Sequence, residues 1–445
     1  MSQSIRSQVD LIREAFHYQN RFDGTTMVFK VDFPVTEDPG FPYLMKDLAL
    51  LARTGIRVVI IPGSKEWIDS VLREYGIVST YAGSTRITTE AAIPFVKMAA
   101  FNVATRYMTG LSADRADAVI GNFVRARGLG VVNGTDMAHT GTVDKILVNP
   151  LRRILDLGMI PILPCIGWSA TGKPYNVPSD EIALAASAAL GAVKLFIISV
   201  EKGLRPDRYR IPESIQLGEN DRIIRLTPQE AEQILEQNRE NRESGGEDKP
   251  LNEIDLALRA SKAGVERVHL VDGREEGAVL RELFSNLGAG TMVYGDEYES
   301  IRPLKTKDIA DVLRLMEPLM QQGVLLRRTA EDVQERKDDY AVFEIDGSVH
   351  ACAALHDWGD AQGEIAAIAT DPAYGHMGLG RRLVRYLADR AQKQGFQRVF
   401  VLTTKTQDWF EFLGFKEVPL SSLPERKRAY YDKDRKSKIF ALDIQ

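Results

Sequence analysis

Three glycines, Gly375, Gly378 and Gly380, punctuate the run Asp371-Pro-Ala-Tyr-Gly-His-Met-Gly-Leu-Gly-Arg381-Arg382. The run stands between a short β-like stretch at 364–370 (EIAAIAT) and an amphipathic helical pattern from 378 to about 394. Glycines at a strand-to-helix turn leave backbone N–H groups unobstructed, and the helix N-terminus adds partial positive charge. That chemistry suits a pyrophosphate. Arg381 and Arg382 in the first turn oppose the helix dipole, and a bound phosphate would offset them. By type and spacing alone, a plain tight turn is an equally good account. A second concentration of charge lies in GVLLRRT at 323–329 and in the stretch from Arg426 to Lys438, where seven Lys and Arg face only Asp432 and Asp434. Paired guanidinium groups are what a dicarboxylate needs; a solvated basic face is the competing account. Cys352, on an apolar strand, reads as a small buried hydrophobe.

These residues need a scaffold, and the surrounding pattern supplies one. Hairpin-like strands at 340–346 and 348–355 are joined through Gly347. A strand at 364–370, the long helix, a strand at 398–403 and a helix at 405–413 follow, which describes a small mixed α/β domain. The first ~295 residues are different in style. Runs rich in Val and Ile at 26–31, 56–61, 129–133, 159–163, 194–199 and 267–271 alternate with helical patterns such as 43–54, 181–191 and 253–263. Strands separated by helices of 10–15 residues predict right-handed crossovers and a mainly parallel sheet covered on both faces, a three-layer α/β domain. Residues 238–250 (NRENRESGGEDKP) read as a mobile surface loop. A composition shift at 293–307 places the boundary, giving domains 1–295 and 296–445.

The composition excludes several classes. Lys and Arg number 57 against 62 Asp and Glu, a formal charge of −5 that argues against nucleic acid as the partner. Two cysteines, Cys165 and Cys352, make no disulfide framework and fit a reducing cytoplasm. No stretch approaches 18 uncharged apolar residues, so no membrane span is expected. The N-terminus MSQSIRSQVDLIREAF carries charges where a signal peptide needs an apolar core, so no export is expected.

The glycine turn, with GEIAAIATDP before it and VLTTKTQDWFEFLGFKEV after it, resembles motif A of the GCN5-related N-acetyltransferases, Gln/Arg-x-x-Gly-x-Gly/Ala. Gly375 departs from that pattern by standing where Gln or Arg is usual. The resemblance implies acetyl-CoA as co-substrate, no metal, and a pyrophosphate cradle of Gly375, Gly378, Leu379, Gly380 and Arg381. It implies direct transfer to an amine, with the backbone N–H of Ile368 stabilising the developing oxyanion. The proton-accepting base is Glu364, His356 (ordinary pKa ~6.5) or a water relay. The aromatic ending, Trp409, Phe410, Phe412 and Phe415, is assigned to core.

An α/β domain followed by this transferase, with GVLLRR, LTTKTQDWF, LPERKRAYY and RKSK, resembles the bacterial N-acetylglutamate synthases over nearly the whole chain. The resemblance implies acetyl transfer to the α-amine of L-glutamate, at the entry to arginine biosynthesis. Arg327 and Arg435 would hold carboxylates, and Thr403 and Ser437 would add hydrogen bonds. His356 stands where the family often has Lys.

The N-terminal stretches FKV, IRVVIIPGSKEWID, YNVPSDEIALAASAALGAVKLFII and HLVDGREEGAVLRELFSNLGAGTM are similar to the amino acid kinase fold, specifically N-acetylglutamate kinase. Where an active kinase needs Lys-x-Gly-Gly, this chain has Lys30-Val-Asp32-Phe, so phosphoryl transfer is not expected. No Lys is expected in the Gly-Gly-Met-x-x-Lys context before residue 250. Arginine-regulated kinases of the group imply an L-arginine effector site at Tyr18, Lys202, His269, Glu282 and Gly288, with a helix at 5–18 and a ring-like homo-oligomer, a hexamer. A bifunctional synthase–kinase, a non-catalytic arginine-binding regulator and acetylation of another amine are the alternative readings.

Overall fold

The computed structural model describes residues 22–83, 85–212, 215, 217–218, 221–240, 248–284, 290–295, 299–345, 347–372, 374, 378–432 and 435–444. The chain divides into two compact units, Met1–Gly295 and Asp296–Gln445.

The first unit is built on an eight-stranded sheet of β1 (Thr26–Val31), β2 (Arg57–Pro62), β3 (Ala118–Ile120), β4 (Ile160–Ile162), β5 (Lys194–Ser199), β6 (Arg225–Leu226), β7 (Arg267–Asp272) and β8 (Thr291–Tyr294). Its order is β6-β8-β7-β5-β1-β2-β4-β3, and every neighbouring pair is parallel except β7 with β8. Alternate residues serve two separate cores, as the period of a strand requires. Met27, Phe29 and Val31 face a layer that includes α1 (Phe41–Arg53), α3 (Ile93–Ala113) and α6 (Ala278–Phe284). Val28, Val59, Leu195 and Ile197 face α4 (Ser179–Leu190) and α5 (Lys249–Lys262). Helices on both faces explain why β1 and β5 are buried along their whole length. A helix α2 (Lys65–Glu74) follows β2.

Three local features differ from the sequence reading. Residues 129–133 do not join the sheet: Val131–Val132 pairs with Thr135–Asp136 through Asn133 and Gly134, both at positive φ (50° and 80°). An Asn-Gly pair in that conformation closes a tight two-residue hairpin. A four-stranded sheet of Val124–Gly128, Gly141–Ile146, Ile166–Trp168 and Pro174–Asn176 sits beside the main one. Part of 238–250 is ordered: Asn238 is a buried helix cap bonded to both Arg210 N–H and C=O, and Asp248 caps α5 by accepting from Leu251 N–H at 3.2 Å.

The second unit is a seven-stranded sheet in the order β9-β10-β11-β12-β13-β15-β14. Its strands are β9 (Glu299–Pro303), β10 (Tyr340–Ile345), β11 (Ser348–Asp357), β12 (Gln362–Thr370), β13 (Arg398–Thr403), β14 (Lys416–Glu417) and β15 (Lys438–Asp443). All neighbours are antiparallel except β12 with β13. Helix α7 (Ile309–Gln321) packs Val312, Leu315 and Met316 against Val342, Cys352 and Ala354. Helix α8 (Leu379–Lys393) crosses β10, β11 and β12, while α9 (Gln407–Phe412) and α10 (Glu425–Ala429) flank the last strands. Among the described residues, no helix is long and apolar enough to cross a membrane.

Phe196 on β5 is stacked between Phe29 (centroids 4.8 Å apart) and His269 (4.7 Å), with no exposed surface. Phe196→Ala is expected to destabilise the first unit by about 3–5 kcal/mol in chemical denaturation of the full chain, since the sheet and helices leave little room to collapse onto the void.

Candidate active site

β12 and β13 pair over only three positions, Gln362 with Arg398, Gly363 with Val399 and Glu364 with Phe400. Beyond Glu364 both strands continue without pairing, and a cavity of about 320 Å³ opens between them. Ile365, Ala366, Ala367, Ile368 and Thr370 line one side, and Val401, Leu402 and Thr403 line the other. A β-bulge produces the divergence. Cys352 opposes Ala369 and Ala354 opposes Ala366, so Ala367 and Ile368 together face Ala353, and Ala367 lies at φ 54°. A bulge of this kind bends its strand and re-aims its backbone. The Cys352 thiol donates to the Ala367 carbonyl at 3.6 Å, and burial pushes that thiol up to about 12, so it stays protonated.

The mouth of the cavity meets the start of α8. Gly378 caps that helix at φ 63°, a conformation glycine adopts freely. At Gly380 a Cβ would come within 3.3 Å of the Trp409 ring, a tight contact that glycine avoids. The first turn of α8 carries no acidic residue, and Arg381 extends over the Phe412 ring at 5.7 Å. A helix N-terminus, a glycine-containing turn and a cation thus adjoin a partly apolar slot. These features fit a CoA thioester, pyrophosphate at α8 and acyl end in the splay.

The structure brings Ile368, Gly378, Leu379, Gly380, Arg381 and Thr403 to this one cavity. Gly375 lies outside the described residues. Thr403 Oγ1 accepts from Thr406 N–H at 3.0 Å, which holds the end of β13. Arg327 is exposed, near Val324 and Leu325 of the cavity wall. Arg435 donates to the carbonyls of Gly323 (3.3 Å) and Val324, pinning that wall from outside. Ser437 is buried, and its carbonyl accepts from Tyr431 OH at 2.7 Å. Glu364 and His356 oppose each other on β12 and β11, just before the splay and off the cavity wall. His356 Nδ1 lies 2.6 Å from Asp339. Glu364 Oε2 accepts from Lys427 Nζ at 2.6 Å and from Trp358 Nε1 at 2.8 Å.

The aromatic ending is only partly core. Phe410 and Phe415 are buried, but Trp409 lines the cavity and Phe412 is 74% exposed. The cause is the helix: at 100° per residue, 409 and 412 fall off the stripe that 410 buries. Trp409, Thr406 and Tyr374 are lining residues that sequence reasoning missed; the Trp in QDWF was the available signal. Lys427 was read as part of a basic face, and nothing in the spacing separated it from its exposed neighbours.

In the first unit, His269, Glu282 and Lys194 form a buried chain. His269 Nδ1 is 2.7 Å from Glu282, and Lys194 Nζ is 3.2 Å from His269 Nε2. Burial, aided by Lys194, pushes His269 down to about 4, so at neutral pH it donates through Nδ1 and accepts through Nε2. The second Glu282 oxygen accepts from Gly290 N–H at 3.1 Å. Lys202 lies apart, in a separate cavity of about 340 Å³ beside Arg205 and Arg274. Tyr18, Gly288 and the 5–18 segment lie outside the described residues.

A larger cleft of about 490 Å³ opens at the carboxyl ends of β1 and β2. Ion pairs cross it. Lys30 Nζ reaches Asp32 (2.5 Å) and Asp180 (2.9 Å), and Lys249 reaches Asp32 at 2.8 Å. Burial opposes the Lys30 charge, yet Asp180 and Asp32 hold its pKa above the usual lysine range. Burial likewise opposes ionised Asp32, and Lys30 and Lys249 overcome it. Lys249, four residues after Gly245, is a cleft lysine that the sequence reading did not expect.

Comparison with known proteins agrees with this geometry. Residues 33–242 match the amino acid kinase family and residues 309–415 the acetyltransferase (GNAT) family. Fold and site therefore define a two-part acyltransferase, a kinase-like unit followed by a GNAT unit, with acetyl-CoA as acetyl donor. The chain is 33% identical over 443 residues to an amino-acid acetyltransferase of Pseudomonas fluorescens, covering 97% of this chain and 98% of the relative. An amino-acid acetyltransferase of Azotobacter vinelandii is 33% identical over 446 residues, covering 98% of this chain and 99% of the relative. The N-acetylglutamate synthase of Neisseria gonorrhoeae, solved with coenzyme A and L-arginine, superposes with a TM-score of 0.84 at 31% identity, covering 98% of this chain and 99% of that one. The same protein with coenzyme A and N-acetyl-glutamate gives a TM-score of 0.60, also at 31% identity, covering 98% of this chain and 99% of that one. The chain belongs to the N-acetylglutamate synthase family of amino-acid acetyltransferases.

Glu253 in the kinase-like cleft yields a test by pH. Burial, then Asp32, pushes it up to about 8, and its Oε1 has no hydrogen-bond partner. Between the ordinary carboxyl pKa and about 8 the folded chain binds more protons than the unfolded one, so stability falls as pH rises through that window. Glu253→Gln is expected to remove this slope, stabilising the first unit at pH ~8 while changing little at pH ~5, as denaturant titration at the two pH values would show.

Proposed function

We propose that the enzyme transfers the acetyl group of acetyl-CoA to the α-amine of L-glutamate, giving N-acetyl-L-glutamate and CoA, as the first step of arginine biosynthesis. Residues 296–445 carry the chemistry, and residues 1–295 form a kinase-inactive unit through which L-arginine exerts feedback. The supporting observation is the cavity of the β12–β13 splay, with Arg381 in its lining, in a chain similar throughout to a synthase solved with coenzyme A, N-acetyl-glutamate and L-arginine.

In this reading, the α8 N-terminus, Gly378, Leu379, Gly380 and Arg381 hold the CoA pyrophosphate. The N–H of Ile368 faces the thioester oxygen and stabilises its developing charge. Arg327 and Arg435 hold the glutamate carboxylates, and Thr403, Ser437 and His356 complete the acceptor site. Glutamate arrives as an ammonium ion, so a base must accept a proton before nitrogen attacks; Glu364, a carboxylate at the vertex of the splay, takes it directly or through water. A cationic acceptor such as a polyamine would be repelled by the same arginines.

The effector reading places arginine against Glu282, with Tyr18, Lys202, His269 and Gly288 around it. Glu282 is already oriented by His269 and Gly290, so a guanidinium would meet a fixed carboxylate. The kinase chemistry is absent because Asp32, paired to Lys30 and Lys249, occupies the place a transferring phosphate would need. A cytoplasmic homo-oligomer, a hexamer by resemblance, is the expected assembly.

Thiol release from acetyl-CoA, measured across amino acids with and without L-arginine, tests the reading. Glutamate is expected to be the preferred acceptor, arginine to alter its rate, and Arg435→Ala to raise the glutamate KM about 10- to 100-fold. Absence of glutamate-dependent thiol release would overturn it.

A further inference from the structure

Lys427 belongs to a strongly basic stretch, yet it is 8% exposed while Arg426 and Arg428 on either side face solvent. Short helix α10 turns it inward: Leu423 and Pro424 are buried at the helix entrance, and Lys427 follows one turn later. Its ammonium lies 2.6 Å from Glu364 Oε2 and 4.6 Å from the centroid of the Trp358 ring. Trp358 Nε1 donates to the same oxygen at 2.8 Å, and Tyr430 leans on Trp358 at 6.0 Å. Both donors therefore converge on Oε2. Among the described residues no group donates to Oε1.

Among the described residues, Lys427 is the cation paired with Glu364. Across the sheet, His356 on β11 is turned to Asp339. On the β13 side, Phe400 is the last residue paired before the strands part. Glu364 therefore sits at the vertex of the splay, with one oxygen fixed and one uncommitted. A buried carboxylate without a counter-charge would shift towards its neutral form, which cannot accept a proton.

We propose that Lys427 is a positioning residue for acetyl transfer. It fixes the Glu364 side chain, presents Oε1 rather than Oε2 to the acceptor, and supplies the counter-charge of the carboxylate. The proposal rests on the reading of Glu364 as the base. In the step, an N–H bond of the acceptor ammonium breaks and its proton passes to Oε1, directly or through water. The freed nitrogen lone pair forms the C–N bond to the acetyl carbon, the C–S bond breaks, and the sulfur leaves as thiolate. The bonded nitrogen then gives its second proton to the departing thiolate, leaving neutral amide and thiol, and Glu364 releases its proton to solvent, restoring the Lys427 ion pair.

Steady-state pH profiles of the full chain test this, with Lys427→Met, Lys427→Gln, Lys427→Arg and Glu364→Gln beside the wild type. Lys427→Met is expected to lower kcat about 100-fold at neutral pH while the glutamate KM changes by less than about threefold. Its acid limb should move up by about one pH unit or more, because the carboxylate has lost its cation. Lys427→Arg keeps the limb where the wild type has it, since charge and donors remain. Should the Met variant fail to fold, Lys427→Gln, which keeps a donor without the charge, must show the same upward displacement. Loss of kcat with the acid limb unmoved would overturn the proposal in favour of a structural prop. A raised glutamate KM with kcat intact would overturn it in favour of a substrate ligand. Glu364→Gln with near-wild-type kcat would instead remove the base reading itself, and Lys427 with it.

Discussion

Two parallel strands that pair for three residues and then separate are the constraint on which the catalytic unit depends. Past Glu364 and Phe400 the facing edges of β12 and β13 have no ladder partner, and backbone polar groups in such a place must be met by something else. The bulge at Ala367 makes the separation permanent rather than a fluctuation, because realigning the strands would require removing a residue. Other elements serve the gap. α8 delivers its N-terminus to one end, Arg435 pins the 323–324 wall by its carbonyls, and Glu364 stands at the vertex. The gap is an opening in the sheet that a thioester can complete.

In the kinase-like unit, charged side chains pair across the cleft of the fold. β1 ends at the crevice where open α/β sheets place their ligands. Here its Lys30 is locked between Asp32 and Asp180, and Lys249 closes on Asp32 from α5. A buried carboxylate surrounded by lysines is a poor host for a phosphoryl group. The His269–Glu282 pair lies on β7 and α6, elements distinct from those that supply these cleft charges. One sheet thus carries a cleft crossed by ion pairs and, apart from it, a buried polar pair.

What the sequence made legible follows from periodicity and special backbone. Alternating apolar runs and the glycine turn at 378–380 are local signals, and they located the sheets and the start of α8. The three-layer class was equally readable, because β1 and β5 are apolar on both faces. What stayed hidden depends on tertiary neighbours. No local pattern distinguishes Lys427 from Arg426 and Arg428; only the approach of α10 to Glu364 does. The bulge at Ala367 is invisible for the same reason, since alanine carries no preference for positive φ. The Asn133-Gly134 turn is a different case: its signal was present, yet 129–133 was read as a strand of the main sheet.

The account stands on the claim that the acetyl donor fills the β12–β13 splay. Hydrogen exchange of the full chain with and without acetyl-CoA tests it most directly. The account predicts slowed exchange at 365–370, 378–381 and 401–403, where the edges lack partners or the α8 N-terminus is bare. Protection confined to the cleft around Lys30 and Lys249, with those three segments unchanged, would contradict it.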